Sequence, residues 1–210
     1  MDRGIFITFE GIEGAGKSTQ VKIFAEKISK DSFKTITTFE PGDTELGKKI
    51  REILLSPTLK INPLNELLLY FVDRIQHVWE KVNPLLSEGF LVISDRFIDS
   101  TLAYQGYGRG ISIDLINKLN KILLNDFKPD LTILLDLPAE QGLARNKNIN
   151  KHDKFEIEDI SFHNRVREGF LRLASLESER FIVIDATKTI DEVSYEIYEK
   201  TKERLKMFKI

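Results

Sequence analysis

The stretch GIEGAGKSTQ directly follows a short apolar run, IFITF (5–9). Glycine weakens strands and helices alike, so three glycines here predict a tight turn between a strand and a helix. Gly11, Gly16, Lys17 and Ser18 match the phosphate-loop pattern G-x-x-x-x-G-K-[ST] in the strand–loop–helix setting that the pattern requires. The motif therefore predicts an α/β fold that binds a nucleoside triphosphate.

The loop has a physical reason to bind phosphate. Without side chains at its glycines, the backbone can turn its N–H groups toward phosphate oxygens, and the following helix adds its positive end. We expect Lys17 to reach the β- and γ-phosphates and the Ser18 hydroxyl to hold Mg²⁺. The candidate ATP-binding residues are Gly11, Ile12, Glu13, Gly14, Ala15, Gly16, Lys17, Ser18 and Thr19.

Strand and helix patterns alternate along the whole chain. Short β-branched or aromatic runs predict strands covered on both faces at 5–9, 35–39, 90–94, 131–136 and 181–185. Helical spacing of apolar residues predicts helices at 18–30, 44–55, 64–86, 113–124, 162–176 and 191–206. This alternation predicts a three-layer P-loop NTPase fold, with a central parallel sheet of about five strands and helices on both faces.

No repeat, low-complexity tract or linker divides the sequence, so we expect a single domain over residues 1–210. The polar, basic stretch RNKNINKHDK (145–154) predicts an exposed loop. Lysine and arginine total 31 against 33 acidic residues, a balance that does not favour bulk nucleic-acid or membrane binding. The sequence has no cysteine and no apolar run of membrane length, and we expect a cytoplasmic protein.

A phosphate loop does not by itself specify a reaction, because switch GTPases, motor ATPases and small-molecule kinases share it. A switch GTPase would show D-x-x-G after its third strand, whereas this chain reads Asp95-Arg96-Phe97-Ile98 there. The stretch NKNI (146–149) also lacks the aspartate that reads guanine. A motor ATPase needs a mechanical domain for which 210 residues leave little room. A small-molecule kinase is favoured.

Asp95 and Arg96 stand at the predicted carboxyl end of a parallel strand, where ligands bind in open α/β sheets. There the Asp95 carboxylate can take part in a magnesium shell, directly or through water. The Arg96 guanidinium can make a forked contact with an acceptor phosphate. The alternative for such a pair is a surface salt bridge, which the neighbouring phosphate loop disfavours.

The segment LLLYFVDRIQHV (67–78) combines a helical apolar stripe with two polar side chains. The predicted core stripe consists of Leu64, Leu67, Leu68, Phe71, Ile75 and Val78. Tyr70 and Arg74 lie four residues apart at its border, where a ring could stack on a flat base and a guanidinium could donate to a base carbonyl. A boundary aromatic beside a solvated arginine is the simpler alternative for an isolated helix.

Together these stretches resemble the thymidylate kinase family over nearly the whole chain. The resemblance is carried by FITFEGIEGAGKSTQ, EPGDTELGKKIR, LLLYFVDRIQHV, SDRFIDSTLAYQGYGRG, PDLTILLDLP and FHNRVREGFLRLA, of which DRFIDSTLAYQG is the most specific. It implies phosphorylation of dTMP to dTDP by ATP with Mg²⁺, and a homodimer. No nucleic acid or membrane partner is expected.

The resemblance also implies roles for individual residues. Lys17, Asp95 and Arg96 would be catalytic, and Ser18 and Asp95 would serve Mg²⁺, in part through water. Tyr70 matches the ring that stacks on thymine, and Arg74 matches the donor to the thymine carbonyl. The implied substrate-binding residues are Glu13, Glu40, Pro41, Tyr70, Arg74, Arg96, Ser100, Thr101, Tyr104 and Gln105.

Three features depart from the family pattern. Where many relatives read T-R-E-P-G-G-T, this chain has Phe39 in place of the arginine and Asp43 in place of a glycine. Tyr70 replaces a more usual phenylalanine. The phosphate loop carries no arginine, so the lid (about 145–158) is expected to supply a catalytic cation, and Arg145 and Lys154 are the main candidates beside Lys147 and Lys151.

Two other functions fit the same motifs. Another nucleoside monophosphate or nucleoside kinase would share the loop and lid but accept a different substrate. A non-catalytic ATP-binding protein would bind ATP and release no ADP when nucleoside monophosphates are added.

Overall fold

The computed structural model describes residues 3–147, 155 and 158–206. In these residues five parallel strands form one sheet with the order β2-β3-β1-β4-β5. The strands are β1 (Phe6–Glu10), β2 (Thr35–Phe39), β3 (Leu91–Asp95), β4 (Leu131–Asp136) and β5 (Phe181–Asp185). The register places Phe6 of β1 opposite Val92 of β3, and Ile7 of β1 opposite Leu131 of β4. The predicted fold class and all five predicted strands are confirmed.

Helices pack around this sheet. They are α1 (Lys17–Ile28), α2 (Glu45–Leu55), α3 (Pro63–His77), α4 (Asn83–Ser87), α5 (Ile98–Thr101), α6 (Ile113–Leu124), α7 (Ala139–Lys147), α8 (Ile160–Leu176) and α9 (Ile190–Leu205). A 3₁₀ turn (Ser29–Asp31) follows α1, and π-helical turns follow α3 (Val78–Val82) and α5 (Leu102–Gly108). Among the described residues, no helix combines the length and apolarity needed to cross a membrane.

Local sequence signals fix several helix starts. The Thr44 hydroxyl accepts a hydrogen bond from Gly47 N at 2.9 Å and caps α2, and Asn62 caps α3 just before a proline. At α9, Thr189 and Glu192 form a reciprocal capping box. These caps explain why the predicted and observed starts of the three helices agree closely.

The core lies on the central strands. Every residue of β1 is buried, and the Thr8 hydroxyl lies 3.1 Å from that of Thr132 on β4. The two edge strands are only partly covered, with Ile36 of β2 38% exposed and Val183 of β5 41% exposed. The expectation of strands covered on both faces is therefore right for the three inner strands and wrong for the two edges.

The predicted apolar stripe on α3 is only partly correct. Leu67, Phe71 and Val78 are buried, but Leu64 is 47% exposed and Leu68 is 42% exposed. The buried face instead includes charged and polar side chains, namely Glu66, Asp73, Arg74 and His77. Helical periodicity shows which residues share a face, but it does not show which polar residues will find buried partners.

Two helical segments lie outside the predicted helices. Residues 98–108 were not among the predicted helices, but they form α5 and the π-helical turn after it. Helix α7 continues to Lys147, so the predicted exposed loop at 145–154 is wrong in its first three residues. The remainder of that predicted loop lies outside the described residues.

Candidate active site

A cavity of about 460 Å³ opens beyond the carboxyl ends of β1, β2 and β3, the usual position of a ligand site in an open parallel sheet. The predicted site residues that line it are Glu13, Lys17, Ser18, Glu40, Pro41, Tyr70, Arg74, Asp95, Arg96, Ser100, Thr101, Tyr104 and Gln105. The fold thus brings into one cavity residues that are scattered over more than ninety positions of the sequence.

The phosphate loop (11–18) depends on its glycines. Gly11 has φ +138°, and a Cβ atom there would lie 2.6 Å from the Leu135 carbonyl oxygen. Gly14 has φ +73°, and its Cβ would lie 2.2 Å from the carbonyl oxygen of Gly142 on α7. Gly16 caps α1 with no side-chain hydrogen bond, which leaves the first N–H groups of that helix for phosphate oxygens.

The Lys17 ammonium is held by its own loop. Its Nζ donates to the carbonyl oxygens of Gly11 at 3.0 Å and Ile12 at 2.8 Å, and the residue is 7% exposed. Burial, together with the positive charge of Arg96, lowers the pKa of Lys17 to about 8. A phosphate group beside it would favour the charged form.

Ser18 and Asp95 meet at the edge of the loop. The Ser18 hydroxyl donates to Asp95 Oδ2 at 2.6 Å, so two oxygen ligands from distant parts of the chain lie side by side. No group of three or more histidine, cysteine, aspartate or glutamate side chains among the described residues could hold a metal alone. The pair still suits Mg²⁺, which nucleotide-binding sites usually hold through one or two protein oxygens plus substrate phosphates.

Arg96 is fixed from several sides. Its backbone has φ +73°, which is unusual for a residue with a side chain, and its N–H donates to the Phe9 carbonyl at 3.0 Å. Its Nη1 donates to Ser100 Oγ at 2.9 Å and to Gly11 O at 3.1 Å, and its Nη2 donates to Glu13 Oε1 at 3.0 Å. The guanidinium is therefore aligned before any ligand contributes to its position.

Glu10 was not identified from the sequence. Its side chain accepts hydrogen bonds from the segment that follows Arg96. Its Oε1 accepts from Phe97 N at 2.7 Å, and its Oε2 accepts from Ser100 Oγ at 2.6 Å. Burial and the neighbouring charge of Asp99 raise the pKa of Glu10 to about 8. The side chain connects the end of β1 to the Phe97 backbone and to Ser100, whose hydroxyl accepts from the Arg96 guanidinium.

Tyr104 and Glu13 form the adjoining wall. The Tyr104 hydroxyl donates to Glu13 Oε1 at 2.6 Å, and its ring lies 5.0 Å from the Arg96 guanidinium carbon. Burial alone would raise the pKa of Glu13, but the positive charges of Arg96 and Lys17 outweigh it and lower that pKa. Glu13 therefore stays an ionised carboxylate beside the positive charges of Arg96 and Lys17.

Arg74 marks a second part of the lining. Its Nε donates to Glu40 Oε2 at 2.8 Å, and the residue is 1% exposed rather than solvated. Its Nη1 and the Thr101 hydroxyl are buried and have no hydrogen-bond partner within the described part of the chain. Tyr70 is half-buried nearby, and Gln105 Nε2 donates at 2.9 Å to Glu66, a fully buried residue that sequence reasoning missed.

The family departures have partners in the structure. The Arg51 guanidinium carbon lies 5.8 Å from the centre of the Phe39 ring, and its Nη1 donates to Pro41 O at 2.6 Å. Arg51 lines the cavity and was not predicted. Asp43 is paired with Lys81 at 2.9 Å. A cation thus stands beside Phe39, although the expected arginine is absent from that position.

Some predicted residues are not brought to the cavity. Arg145 Nη1 donates to Ala186 O at 3.1 Å, and Arg145 is not part of the lining. Six of the predicted ATP-binding residues are also absent from the lining, namely Gly11, Ile12, Gly14, Ala15, Gly16 and Thr19. Lys151 and Lys154 lie outside the described residues. From the lid region, Asn146 and Phe155 contribute to the lining, and neither was predicted.

A phosphate loop that shares one cavity with a second, arginine-lined subsite defines a P-loop kinase that acts on a small phosphorylated acceptor. Residues 9–197 match the sequence model of the thymidylate kinase family. The chain is 50% identical over 195 residues to a thymidylate kinase of Carboxydothermus hydrogenoformans, covering 93% of this chain and 95% of that protein. A thymidylate kinase of Halothermothrix orenii is 47% identical over 203 residues, covering 95% and 97%.

A comparison with solved structures leads to the same family. The crystal structure of a thymidylate kinase from Ehrlichia chaffeensis superposes with a TM-score of 0.77 at 35% identity, covering 95% of this chain and 99% of that one. The chain belongs to the thymidylate kinase family. Its members use ATP as the phosphoryl donor together with Mg²⁺.

Proposed function

We propose that this chain transfers the γ-phosphoryl group of ATP to dTMP, giving dTDP and ADP, by direct in-line transfer. The carrying observation is the pair of buried, unpartnered polar atoms, Arg74 Nη1 and Thr101 Oγ1, whose residues line the same cavity as Lys17 and Ser18 of the phosphate loop. Buried polar groups ordinarily find partners, so these two atoms favour a polar ligand beside the loop. Family membership supports thymidylate as that ligand.

At the donor side, the loop N–H groups and Lys17 bind the ATP phosphates, and Ser18 and Asp95 hold Mg²⁺. The ion, when bound, neutralises charge on the phosphate oxygens. Arg96 binds the acceptor phosphate and, with Lys17, stabilises the charge that develops on the transferred group. The protein thus acts by positioning and by fixed charge, without a covalent intermediate.

At the acceptor side, Tyr70 stacks on the thymine ring while Arg74 Nη1 donates to a base carbonyl. Ser100, Thr101, Tyr104 and Gln105 surround the base and deoxyribose, Glu13 faces the sugar, and Glu40 and Pro41 form the turn beside the acceptor phosphate. These roles are supported by the shared cavity lining and by the Arg74–Glu40 ion pair at 2.8 Å.

We assign the whole of 1–210 to one kinase domain in the cytoplasm, with a lid at about 145–158 that closes over ATP and excludes water. The lid supplies the further cation, from Lys154 or Arg145. Lys154→Met is expected to lower kcat more than it weakens dTMP binding, while Lys154→Arg keeps activity. If Lys154→Met is silent and Arg145→Met is not, the cation is Arg145.

A homodimer is part of the proposal. Leu64, Leu68 and Val72 are 47%, 42% and 44% exposed along one face of α3, which packs beside α6. On α6, Leu115 is 39% and Ile122 is 75% exposed. These exposed apolar side chains on two neighbouring helices suit a second copy of the chain.

Light scattering tests the dimer. Leu68→Lys is expected to give monomers, and Leu176→Lys, at a 64% exposed leucine on α8, serves as the matched control. Monomeric wild-type protein would contradict this part of the proposal.

The proposed reaction is tested by ADP release across a panel of dTMP, dUMP, UMP, dCMP and dGMP. We expect dTMP first, dUMP next and UMP far behind, since a buried ribose 2′-hydroxyl without a partner costs about 1–3 kcal/mol. Equal rates for UMP and dTMP would indicate a broader pyrimidine kinase. ATP binding without ADP release for any acceptor would indicate a non-catalytic protein.

A further inference from the structure

Behind the Arg74 subsite, a chain of polar side chains runs from the protein surface to the cavity. It begins at Lys81, 36% exposed at its side chain, and ends at Arg74, which is buried. Its members, in order of contact, are Lys81, Asp43, Thr38, His77, Glu40 and Arg74. They come from β2, the turn after it, α3 and the π-helical turn that follows α3.

The contacts between Lys81, Asp43 and Thr38 determine that one ring nitrogen of His77 carries a hydrogen. Asp43 Oδ2 is 2.9 Å from Lys81 Nζ and also accepts from the Thr38 hydroxyl. A threonine hydroxyl has a single hydrogen, so Thr38 can only accept from its other neighbour. That neighbour is His77 Nε2, at 2.6 Å, which must therefore carry a hydrogen.

The contacts on the other side fix a second hydrogen. Glu40 Oε2 accepts from Arg74 Nε at 2.8 Å, an ion pair whose two side chains are each 2% exposed. Glu40 Oε1 lies 2.7 Å from His77 Nδ1. An ionised carboxylate can only accept, so Nδ1 must also carry a hydrogen.

One further titratable group faces this cluster. Asp73 Oδ1 accepts from Gly42 N at 3.0 Å, and burial with the charge of Glu40 raises the pKa of Asp73 to about 6. His77 is 1% exposed, so its charge is balanced within the cluster. The carboxylates of Asp43, Glu40 and Asp73 then face the three cations Lys81, His77 and Arg74.

We infer that His77 is a positioning residue: as an imidazolium between Glu40 and Thr38, it fixes the Glu40 carboxylate that holds Arg74 beside the cavity. Asp43 maintains this state because it takes the Thr38 hydrogen. Without Asp43, the Thr38 hydroxyl can donate to Nε2, and one imidazole hydrogen then suffices. The inference deepens the proposed function, because it rests on Arg74 as a base-recognising residue.

Imidazole ¹⁵N NMR of the whole protein at pH 7 tests the protonation state directly. The chain has three histidines, and His77→Gln identifies the signals of His77 by their loss. We expect both ring nitrogens of His77 to be protonated in the unmodified protein and only one in Asp43→Ala. Asp31→Ala is the matched control, because Asp31 is also paired with a lysine, Lys202 at 3.1 Å, away from the cavity.

A neutral His77 ring in the unmodified protein would overturn the inference. So would an imidazolium that persists in Asp43→Ala. These spectra need no substrate, so they do not depend on whether dTMP is phosphorylated.

Kinetics test the positioning role separately. We expect His77→Gln to raise KM for dTMP about 10- to 100-fold with kcat within a few-fold, and Asp43→Ala to raise it less. KM for ATP should stay unchanged in both, and Asp31→Ala should match the unmodified protein. Circular dichroism melting shows which variants fold. If His77→Gln does not fold, Asp43→Ala still tests the positioning role, because Asp43 lies nearer the protein surface.

The two possible failures are distinct. An unmodified chain that does not phosphorylate dTMP contradicts the proposed function. An active chain whose folded His77→Gln and Asp43→Ala variants keep their KM for dTMP contradicts the positioning role.

Discussion

The phosphate loop and the Glu40–Arg74 pair line the same cavity but are built in different ways. The loop is one continuous segment whose lysine bonds to carbonyls five and six residues before it. The pair joins residues 34 positions apart and is supported by His77 and Thr38 from two further segments. A local motif can be read from sequence, whereas a buried network exists only after the chain has folded.

The difference also concerns what each part contributes to the reaction. In the proposed reaction the loop residues would contact the phosphates, where charge changes during transfer. The Arg74 network is proposed to contact the base, which does not react. Substitutions in the loop should therefore lower kcat, and substitutions in the network should raise KM for dTMP.

The largest effect is expected at the loop. Lys17→Ala should lower kcat by several powers of ten, because it removes the cation proposed to stabilise the transferred phosphoryl group. Steady-state ADP release measures it, with Lys27→Ala on the same helix as the control. Near-normal turnover in a folded Lys17→Ala variant would contradict the mechanism.

Arg74→Lys is expected to have the next largest effect, and it should change KM for dTMP rather than kcat. Lysine keeps the charge near Glu40 but loses the second donor branch, so KM for dTMP should rise about 10- to 100-fold while KM for ATP stays constant. Arg3→Lys, which alters an arginine–aspartate pair at the far end of the strands, is the control. A loss of kcat without a change in KM would remove the contrast between the two parts.

Glu10 lies outside both parts, at the end of β1 under Phe97 and Ser100, and should make stability depend on pH. Its pKa is about 8 when folded and 4.5 in the reference state, so between these values the folded protein holds a proton that the unfolded chain lacks. Its contribution is present below pH 4.5 and is lost as pH rises to 8. Glu10→Gln mimics the protonated acid and should remove this dependence.

Urea unfolding from pH 5 to pH 9 measures the effect. The free energy of unfolding of Glu10→Gln relative to the unmodified protein should increase by about 4 kcal/mol across this range. Glu52→Gln, at an exposed carboxylate on α2, should show no such change. Parallel pH curves for Glu10→Gln and the unmodified protein would show that Glu10 is ionised when folded.

The smallest effect concerns the thymine methyl group. Burying one methyl is worth about 0.8 kcal/mol, so dUMP should be poorer than dTMP by about fourfold in kcat/KM. Competition between the two substrates measures this ratio. A ratio near one would mean that the base end of the cavity does not enclose the methyl group, whereas a ratio of hundreds would require an additional polar penalty.

The sequence by itself predicted the five strands, most of the longer helices, the parallel sheet and the phosphate loop. Each of these depends on near neighbours: glycines where φ is positive, caps at helix starts, and apolar runs in strands. The Asp95–Arg96 pair was also predictable, because a strand end in a parallel sheet is a ligand position. The residue roles taken from the family resemblance stay predictions until they are measured.

Only the tertiary structure decided which polar residues are buried and what they bind. Sequence periodicity placed Leu64 and Leu68 in the core and left Arg74 at a boundary, yet the leucines are exposed and the arginine is buried against Glu40. Glu10, Glu66 and His77 gave no signal for the same reason. A charged side chain is buried when distant residues supply its hydrogen bonds and opposite charge, and neither can be counted before the fold brings those residues together.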